Sequence, residues 1–471
     1  MGTVQEIGLK NQSSLEKSKG ILSFKEKLAF FIVNLGNIPL MTLLGGFLLI
    51  FYTDIVGLNA GLVGTLFLVS RVFDGVNDPI MGYVVDHLPQ TKMGRFRSYL
   101  IIGTLITSAI FLALWLGPSL ATTGKAAIAF VTYILFGFAF DLMDIPLNSM
   151  ISVMSDRDAD RNVLANIKGF AYAIGGIGFT ILVVPFVSSF PTPRQGYHVL
   201  IIFATVFVIL FSILGTLGIK ERIFPVKKDK YKSSEVLKII GSKPVLAHFV
   251  NTLLLQIGNG MTQGALIFFF TYALKRPDLF PLTGVSYLLG TVSAVALTPW
   301  LAGKLGKKAT KTIANIISIV GFTVLFFLPT NQPILFILVI MLMSPGMGIN
   351  QVLVYSIQAD NTDYIEWKNG YRAEGAIASV NSFIIKAGLG VGSAIGAYIL
   401  ALVNYIPNQT QTDEVIRGMY WNNFMIPAIL GLVGLMVWVK LYPLNKSKAE
   451  EMMAELHQLR AEEETYSPGE E

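Results

Sequence analysis

Apolar residues run through this chain in long blocks separated by short polar breaks. None of the blocks alternates with the period of two that a half-buried strand requires. Each exceeds the roughly 18 residues that mark a membrane helix, and none fits the alternating strands of a membrane β-barrel. Twelve spans are read, at 28–53, 58–85, 99–117, 125–150, 163–187, 198–219, 246–273, 281–302, 311–329, 333–358, 373–403 and 416–441. The longest internal break, 220–245, is rich in lysine at Lys227, Lys228, Lys230 and Lys232. The expected organisation is a cytoplasmic N-terminus (1–27), a six-helix bundle (28–219), a cytoplasmic middle loop (220–245), a second six-helix bundle (246–441) and a tail (442–471). In the tail, Met452, Leu456 and Leu459 recur at helical spacing among glutamates, which predicts a short amphipathic helix against the inner face.

Composition agrees with an all-α membrane protein. Hydrophobic residues make up 53 % of the 471 and charged residues 14 %, against about 25 % charged in soluble proteins. Mean hydropathy is +0.60. A soluble globular enzyme is excluded. Cysteine is absent, which removes disulfides, thiolate metal sites and cysteine nucleophiles together. Residues 1–27 are polar and basic and the first apolar run is too long for an h-region, so no cleavable leader is expected.

The net charge of +6 could signal nucleic acid, but its distribution reads as topology. With the N-terminus in the cytoplasm, 28 of the 36 basic residues fall on the cytoplasmic side and five on the other. Four of the 28 lie at the break between the eighth and ninth spans: Lys304, Lys307, Lys308 and, as the first residue of the ninth, Lys311. Both termini are therefore expected in the cytoplasm of a multi-pass protein of the cell (inner) membrane, in contact with lipid and not with nucleic acid.

The halves carry a related pattern. Asp78-Pro79-Ile80-Met81-Gly82 closes the second span and leads to Gly94, Arg95 and Arg97. Thr298-Pro299-Trp300-Leu301-Ala302-Gly303 closes the eighth and leads to Gly306, Lys307 and Lys308. Duplicated bundles are the arrangement of a transporter with its substrate site between the halves. Thr298 stands where the first copy has Asp78, so the acid's role belongs to the N-terminal half.

Seven charged residues fall inside spans and away from their ends: Arg71, Lys168, Lys386, Asp74, Asp78, Asp141 and Asp144. A mid-membrane charge costs about 2.5 kcal/mol or more, so these side chains must face the bundle interior and each other. Arg71, Asp74 and Asp78 share one helical stripe with Asn77 on its flank; Asp141 and Asp144 share another. Facing helices would build a pocket of carboxylate and amide oxygens, hard ligands for a small hard cation. Such acids must bind a cation, share a proton, or pair with Arg71, Lys168 and Lys386. The bland alternative is an Arg71–Asp74 packing pair with the remainder as helix glue. Asp86, Arg95 and Arg97 read as an interdomain clamp on the cytoplasmic face. Asp360, Asp363, Tyr364, Glu366, Arg372 and Glu374 form a polar island between spans ten and eleven, either a solvated loop or a gate of salt bridges. Glycines 388, 390, 392 and 396 let the eleventh helix approach a neighbour closely or bend.

Three segments carry a resemblance: FYTDIVGLNAGLVGTLFLVSRVFDGVNDPIMGYVVDHLPQTKMGRFRSYLIIG over 51–103, VTYILFGFAFDLMDIP over 131–146, and 359–386 with its ADNTDY, YRAEG and FIIK elements. The chain resembles the glycoside-pentoside-hexuronide:cation symporters of the major facilitator superfamily, over nearly its whole length. The resemblance implies a twelve-helix major facilitator fold. It also implies a coupling-cation site at Asp74, Asn77 and Asp78 with Lys386 beside it, and contact of Asp144 and Lys168 with sugar hydroxyls. Lys168 replaces the family's arginine, keeping charge without the bidentate fork. Asn148 and Gln351 stand where the melibiose carrier has stacking tryptophans. Ile38, beside Asn37, stands where that carrier has an acid. Asp141 replaces its cation-site threonine, and an added carboxylate raises mutual repulsion and favours a proton or another cation preference.

The expected function is secondary active import of a glycoside, pentoside or hexuronide by symport with H⁺ or Na⁺. Asp74, Asn77, Asp78 and Asp141 would hold the cation; Asp144, Asn148, Lys168, Gln351, Asn381, Ser382 and Lys386 would serve the sugar. No catalytic residue, cofactor or metal beyond the coupling ion is expected, and the carrier would work as a monomer. A cation-coupled carrier of an amphipathic or anionic solute is the alternative, and a non-transporting sugar sensor a further one.

Overall fold

A computed structural model describes residues 22–87, 89, 91, 93–155, 157–222, 241–370 and 374–466. Among them the secondary structure is helical apart from an isolated bridge between Thr91 and Gly94. The helices are α1 (Phe24–Ile50), α2 (Ala60–His87), α3 (Phe96–Leu120), α4 (Lys125–Met154), α5 (Asp158–Ser188), α6 (Pro193–Gly218), α7 (Lys243–Phe268), α8 (Phe280–Leu305), α9 (Lys307–Phe327), α10 (Pro333–Asn369) and α11 (Glu374–Leu402). Then come α12 (Asp413–Leu441) and the tail helix α13 (Lys446–Tyr466). Eleven of the first twelve are long and apolar enough to cross a membrane. The other, α2, has 28 residues, about 42 Å at 1.5 Å per residue, which spans a hydrocarbon core of about 30 Å. Arg71, Asp74 and Asp78 lie within it.

Two departures from the sequence reading concern helix ends. The polar stretch after residue 358 continues α10, which runs unbroken to Asn369 with Asn361, Thr362 and Ile365 buried. Asp360, Asp363, Tyr364 and Glu366 therefore sit on a helix, where every backbone N–H keeps its acceptor, instead of in a loop. Lys311, counted with the basic loop residues, is one turn inside α9 and fully buried.

The duplicated pattern has backbone counterparts. Gly94 and Gly306 both take positive φ, 107° and 81°, which glycine adopts without penalty. At the far ends of the first helix of each half, α1 and α7 pass into matching π turns, Phe51–Ile55 and Phe269–Ala273. Each closes with the same pair of bonds: Val56 N–H to Phe51 O and Leu58 N–H to Tyr52 O, against Leu274 N–H to Phe269 O and Arg276 N–H to Phe270 O.

The chain divides into two compact units. One comprises Met1–Thr42, Phe73–Gly176 and His198–Lys228; the other comprises Leu43–Val72, Ile177–Tyr197 and Asp229–Glu471. In the first, Glu221 accepts the backbone N–H groups of Arg95 and Arg97, at 2.9 and 2.7 Å, and so caps α3. The Arg97 guanidinium reaches the carbonyls of Met93, Thr216 and Leu217. Glu26, in the first turn of α1, pairs with Arg222 at 2.5 Å.

In the second unit, α11 lies so close to α7 that a Cβ on Gly392 would overlap the Ile257 carbonyl. Small residues permit this approach, and lipid, as apolar as the side chains, leaves close packing as the main attraction between helices. The tail helix packs by Met452 and Leu456, each 2 % exposed, while Leu459 is open. Met452 joins Trp438, Tyr442 and Leu444 in one apolar cluster, and Trp367 donates to Glu455 at 2.7 Å.

Candidate functional site

In the first unit, α4 organises the acidic residues because Asp141 and Asp144 are one turn apart along it. Asp141 faces α2: the Asn77 amide donates to its Oδ2 at 2.6 Å, with the residues 2 % and 6 % exposed. Asp74 leans onto the same helix, since a Cβ on Gly137 would sit 3.0 Å from its Oδ1. Gly137 is one turn before Asp141, so glycine opens the space that the Asp74 carboxylate fills. Asp74, Asn77 and Asp141 thus converge between two helices and present hard oxygens. The backbone places Asp78 on α2, with its side chain outside the described residues.

Asp144 faces elsewhere. Asn37 of α1 donates to its Oδ1 at 3.2 Å, and Asn148 of α4 to its Oδ2 at 2.7 Å. The Asn148 carbonyl oxygen in turn accepts from the Lys168 ammonium of α5, which also lies 5.5 Å from the Tyr172 ring centroid. Asn37, Asp144, Asn148 and Lys168 make one hydrogen-bonded chain across three helices. Asn148 is exposed and Asp144 and Lys168 are half-buried, so the chain borders open space. Ile38 is turned from it, 3 % exposed and packed on Gly175 of α5.

In the second unit, Gln351 of α10 is exposed and lines a cavity with Thr252, Gln256, Asn259, Ser318 and Asn350. Asn381 is buried, 1 % exposed, and donates to Gln358 Oε1 at 2.8 Å. Ser382 and Lys386 are exposed on the same helix, and the Arg71 side chain lies against Gly390, one turn beyond Lys386. Thr298, the counterpart of Asp78, is buried with its hydroxyl donated to the Ala294 carbonyl at 2.6 Å, and it brings no charge to the second unit.

The expected gate residues divide between helix ends. Asp360 pairs with Lys307 at 2.5 Å, while the Arg97 guanidinium is engaged within the first unit as described above. Arg372 and the side chains of Asp86 and Glu374 lie outside the described residues. Sequence reading ended the first span before Asp54 and so missed it. Its carboxylate accepts from Tyr272, from Tyr405 at 2.8 and 2.9 Å, and from the neighbouring Thr53 hydroxyl at 2.7 Å. Burial, then the Asp54 charge, raises the Tyr405 hydroxyl above the usual phenol range and keeps it a donor.

Comparison with known proteins gives this arrangement its context. The family described as "MFS/sugar transport protein" matches residues 30–446. The chain belongs to that family. It is a multi-pass membrane transporter and not an enzyme. The glucuronide carrier protein homolog of Escherichia coli (strain K12) is 28 % identical over 417 residues, covering 87 % of this chain and 90 % of that one. The isoprimeverose transporter of Lactiplantibacillus pentosus is 28 % identical over 459 residues, 94 % of each. Among solved structures, the nucleoside transporter NupG aligns with a TM-score of 0.61 at 14 % identity, over 89 % of this chain and 99 % of that one. At that identity the likeness bears on the fold alone, and the fold is that of the major facilitator transporters.

Proposed function

We propose that this carrier imports a glycoside, pentoside or hexuronide together with H⁺ or Na⁺, by alternating access. One observation carries the reading. Along a single helix, α4, Asp141 joins the oxygen set of α2, and Asp144, one turn on, anchors a hydrogen-bonded chain that borders open space. A cation at the first set and hydroxyl groups at the second would stabilise the same helix in the same position, which is the requirement for coupled binding. Asp74, Asn77, Asp78 and Asp141 hold the cation; Asp144, Asn148 and Lys168 receive the sugar. Gln351 contributes from the cavity of the second unit, with Ser382 and Lys386 on the neighbouring α11. Asn381 acts from behind them through Gln358. Arg71, the Lys307–Asp360 pair and the charges near it serve gating.

The names of the glucuronide carrier homolog and the isoprimeverose transporter support a sugar or glycoside as substrate. The basic residues on one side of the spans support cytoplasmic termini in a cell membrane. A carrier of anionic solutes is the second reading, favoured by the position of Lys168 at the open end of the chain. Uptake into proteoliposomes distinguishes them, using a β-glucuronide, a xyloside, an α-galactoside, a β-glucoside and a non-sugar sulfonate, each under an imposed Na⁺ or pH gradient. Accumulation of one sugar class under one gradient is expected, and Asp74→Asn abolishes it. Accumulation of the sulfonate alone, or none under either gradient, overturns the sugar symport reading.

A further inference from the structure

The second unit buries a cation that transport has not used. Lys311 of α9 is 0 % exposed, and its ammonium has no hydrogen-bond acceptor among the described residues. It lies 4.9 Å from the ring centroid of Trp438 on α12, whose other face has Tyr442 stacked at 3.9 Å. A cation–π contact offsets only part of the cost of taking an ammonium out of water.

The polar groups around it can each donate a hydrogen bond. His248 of α7 is 0 % exposed, faces Lys311 closely enough to feel its charge, and has the Asn381 side chain of α11 as a polar neighbour. One turn along α7, Asn251 is 0 % exposed with both amide atoms unpartnered. It lies against Gly434, one turn before Trp438 on α12, where a Cβ would sit 3.1 Å from its Nδ2. One turn along α9 from Lys311, Asn315 is 0 % exposed with both amide atoms unpartnered. The Tyr442 hydroxyl, 1 % exposed, is also unpartnered. The nearby carboxylate of Asp360 is engaged by Lys307. Buried polar groups in native proteins are almost always satisfied, so a cluster of this kind calls for something the polypeptide does not supply. A full positive charge among amide, imidazole and phenol groups that can each turn a donor inward suits an anion.

We propose that Lys311, His248, Asn251 and Asn315 enclose a site for a small monovalent inorganic anion, chloride in the cell, between α7, α9 and α12. Its size follows from what adjoins it. A cavity of about 40 Å³ begins one turn further along the same helices, at Thr252 and Ser318. That leaves room for an ion or a few waters beside Asn251 and Asn315. The ion neutralises Lys311 and ties three helices of the second unit, while the cavity gives it a route in.

The test uses the full-length carrier in detergent, unfolded thermally in sodium chloride and in sodium gluconate at matched ionic strength. A saturable rise in unfolding temperature of about a few degrees is expected with chloride and none with gluconate, as linkage requires for a ligand of the native state. Lys311→Met removes the chloride increment, and Asn315→Ala moves the chloride midpoint by about tenfold, the worth of one hydrogen bond to a charge. Superimposable wild-type curves in the two salts overturn the proposal and make Lys311 a neutral amine. A chloride increment that survives in Lys311→Met overturns it too, since the ion then binds elsewhere. Should Lys311→Met fail to fold, the wild-type titration and Asn315→Ala decide alone.

Discussion

Asp54 and Tyr272 occupy the same step of two matching π turns, one closing α1 and the other α7, and Tyr272 donates its hydroxyl to the Asp54 carboxylate. Residues at the same step of the two turns are each other's partner. Tyr405 completes the grip, and Asn408 adds bonds to the Asp54 carbonyl at 2.8 Å and the Tyr272 oxygen at 3.2 Å. Asp54→Ala leaves two phenols without their acceptor, and the carrier should lose about 1–3 kcal/mol of stability. Asp54→Asn, which keeps an acceptor oxygen, should lose less. Thermal unfolding of the purified variants tests the order; equal losses would show that the charge and not the acceptor matters.

The Asn77–Asp141 bond leads to a coupling prediction. Asn77→Ala leaves a buried carboxylate without its donor at about 1–3 kcal/mol, which corresponds to about a ten- to hundredfold loss in cation affinity. Substrate exchange without a gradient should be affected far less. Asp141→Thr removes the added carboxylate and should move ion preference from H⁺ towards Na⁺, with a flatter pH dependence of uptake. Unchanged preference in that variant would remove Asp141 from the cation site.

Lys168 holds the open end of the chain from Asn37. Lys168→Met should raise KM for uptake by about tenfold or more, because hydrogen bonds to charged groups contribute about 1.5–3 kcal/mol. Lys168→Arg should retain transport with altered sugar preference, since a planar fork replaces a point charge. Initial-rate uptake at varied sugar concentration measures both.

Close contact between α11 and α7 rests on Gly392. Gly392→Leu forces a side chain into the Ile257 carbonyl and should destabilise the carrier by about 1–3 kcal/mol through overpacking. The unfolding temperature in detergent should fall accordingly. Gly169, with open space at its Cβ position, provides the control and should accept alanine without loss.

The twelve spans were legible because membrane helices must be long and apolar, and the breaks between them are short and charged. The approach of Asp74 and Asn77 of α2 to α4 was legible because a charge in lipid has so few places to go. What was hidden lay at the margins of spans. Asp54 ends an apolar run and reads like any acid at a membrane surface; nothing local shows that it is held by residues more than 200 positions away. Lys311 follows Lys304, Lys307 and Lys308 and was absorbed into their basic cluster. The signal that could have separated it is Lys311, Asn315 and Ser318 on one helical face, a polar stripe running into an apolar span. The extension of α10 to Asn369 was missed because hydropathy falls after residue 358 while the helical spacing of Ile357, Asn361 and Ile365 persists.

The tail helix has a consequence for how the carrier is made. Met452 of α13 completes the apolar cluster that holds Trp438, Tyr442 and Leu444, and Trp367 finds Glu455 there as well. During synthesis the second unit therefore leaves the ribosome with part of its core uncovered until α13 has emerged. Nascent chains stalled before that point should leave open the side of this cluster that Met452 covers, a mark by which cellular quality control can tell an unfinished carrier from a finished one.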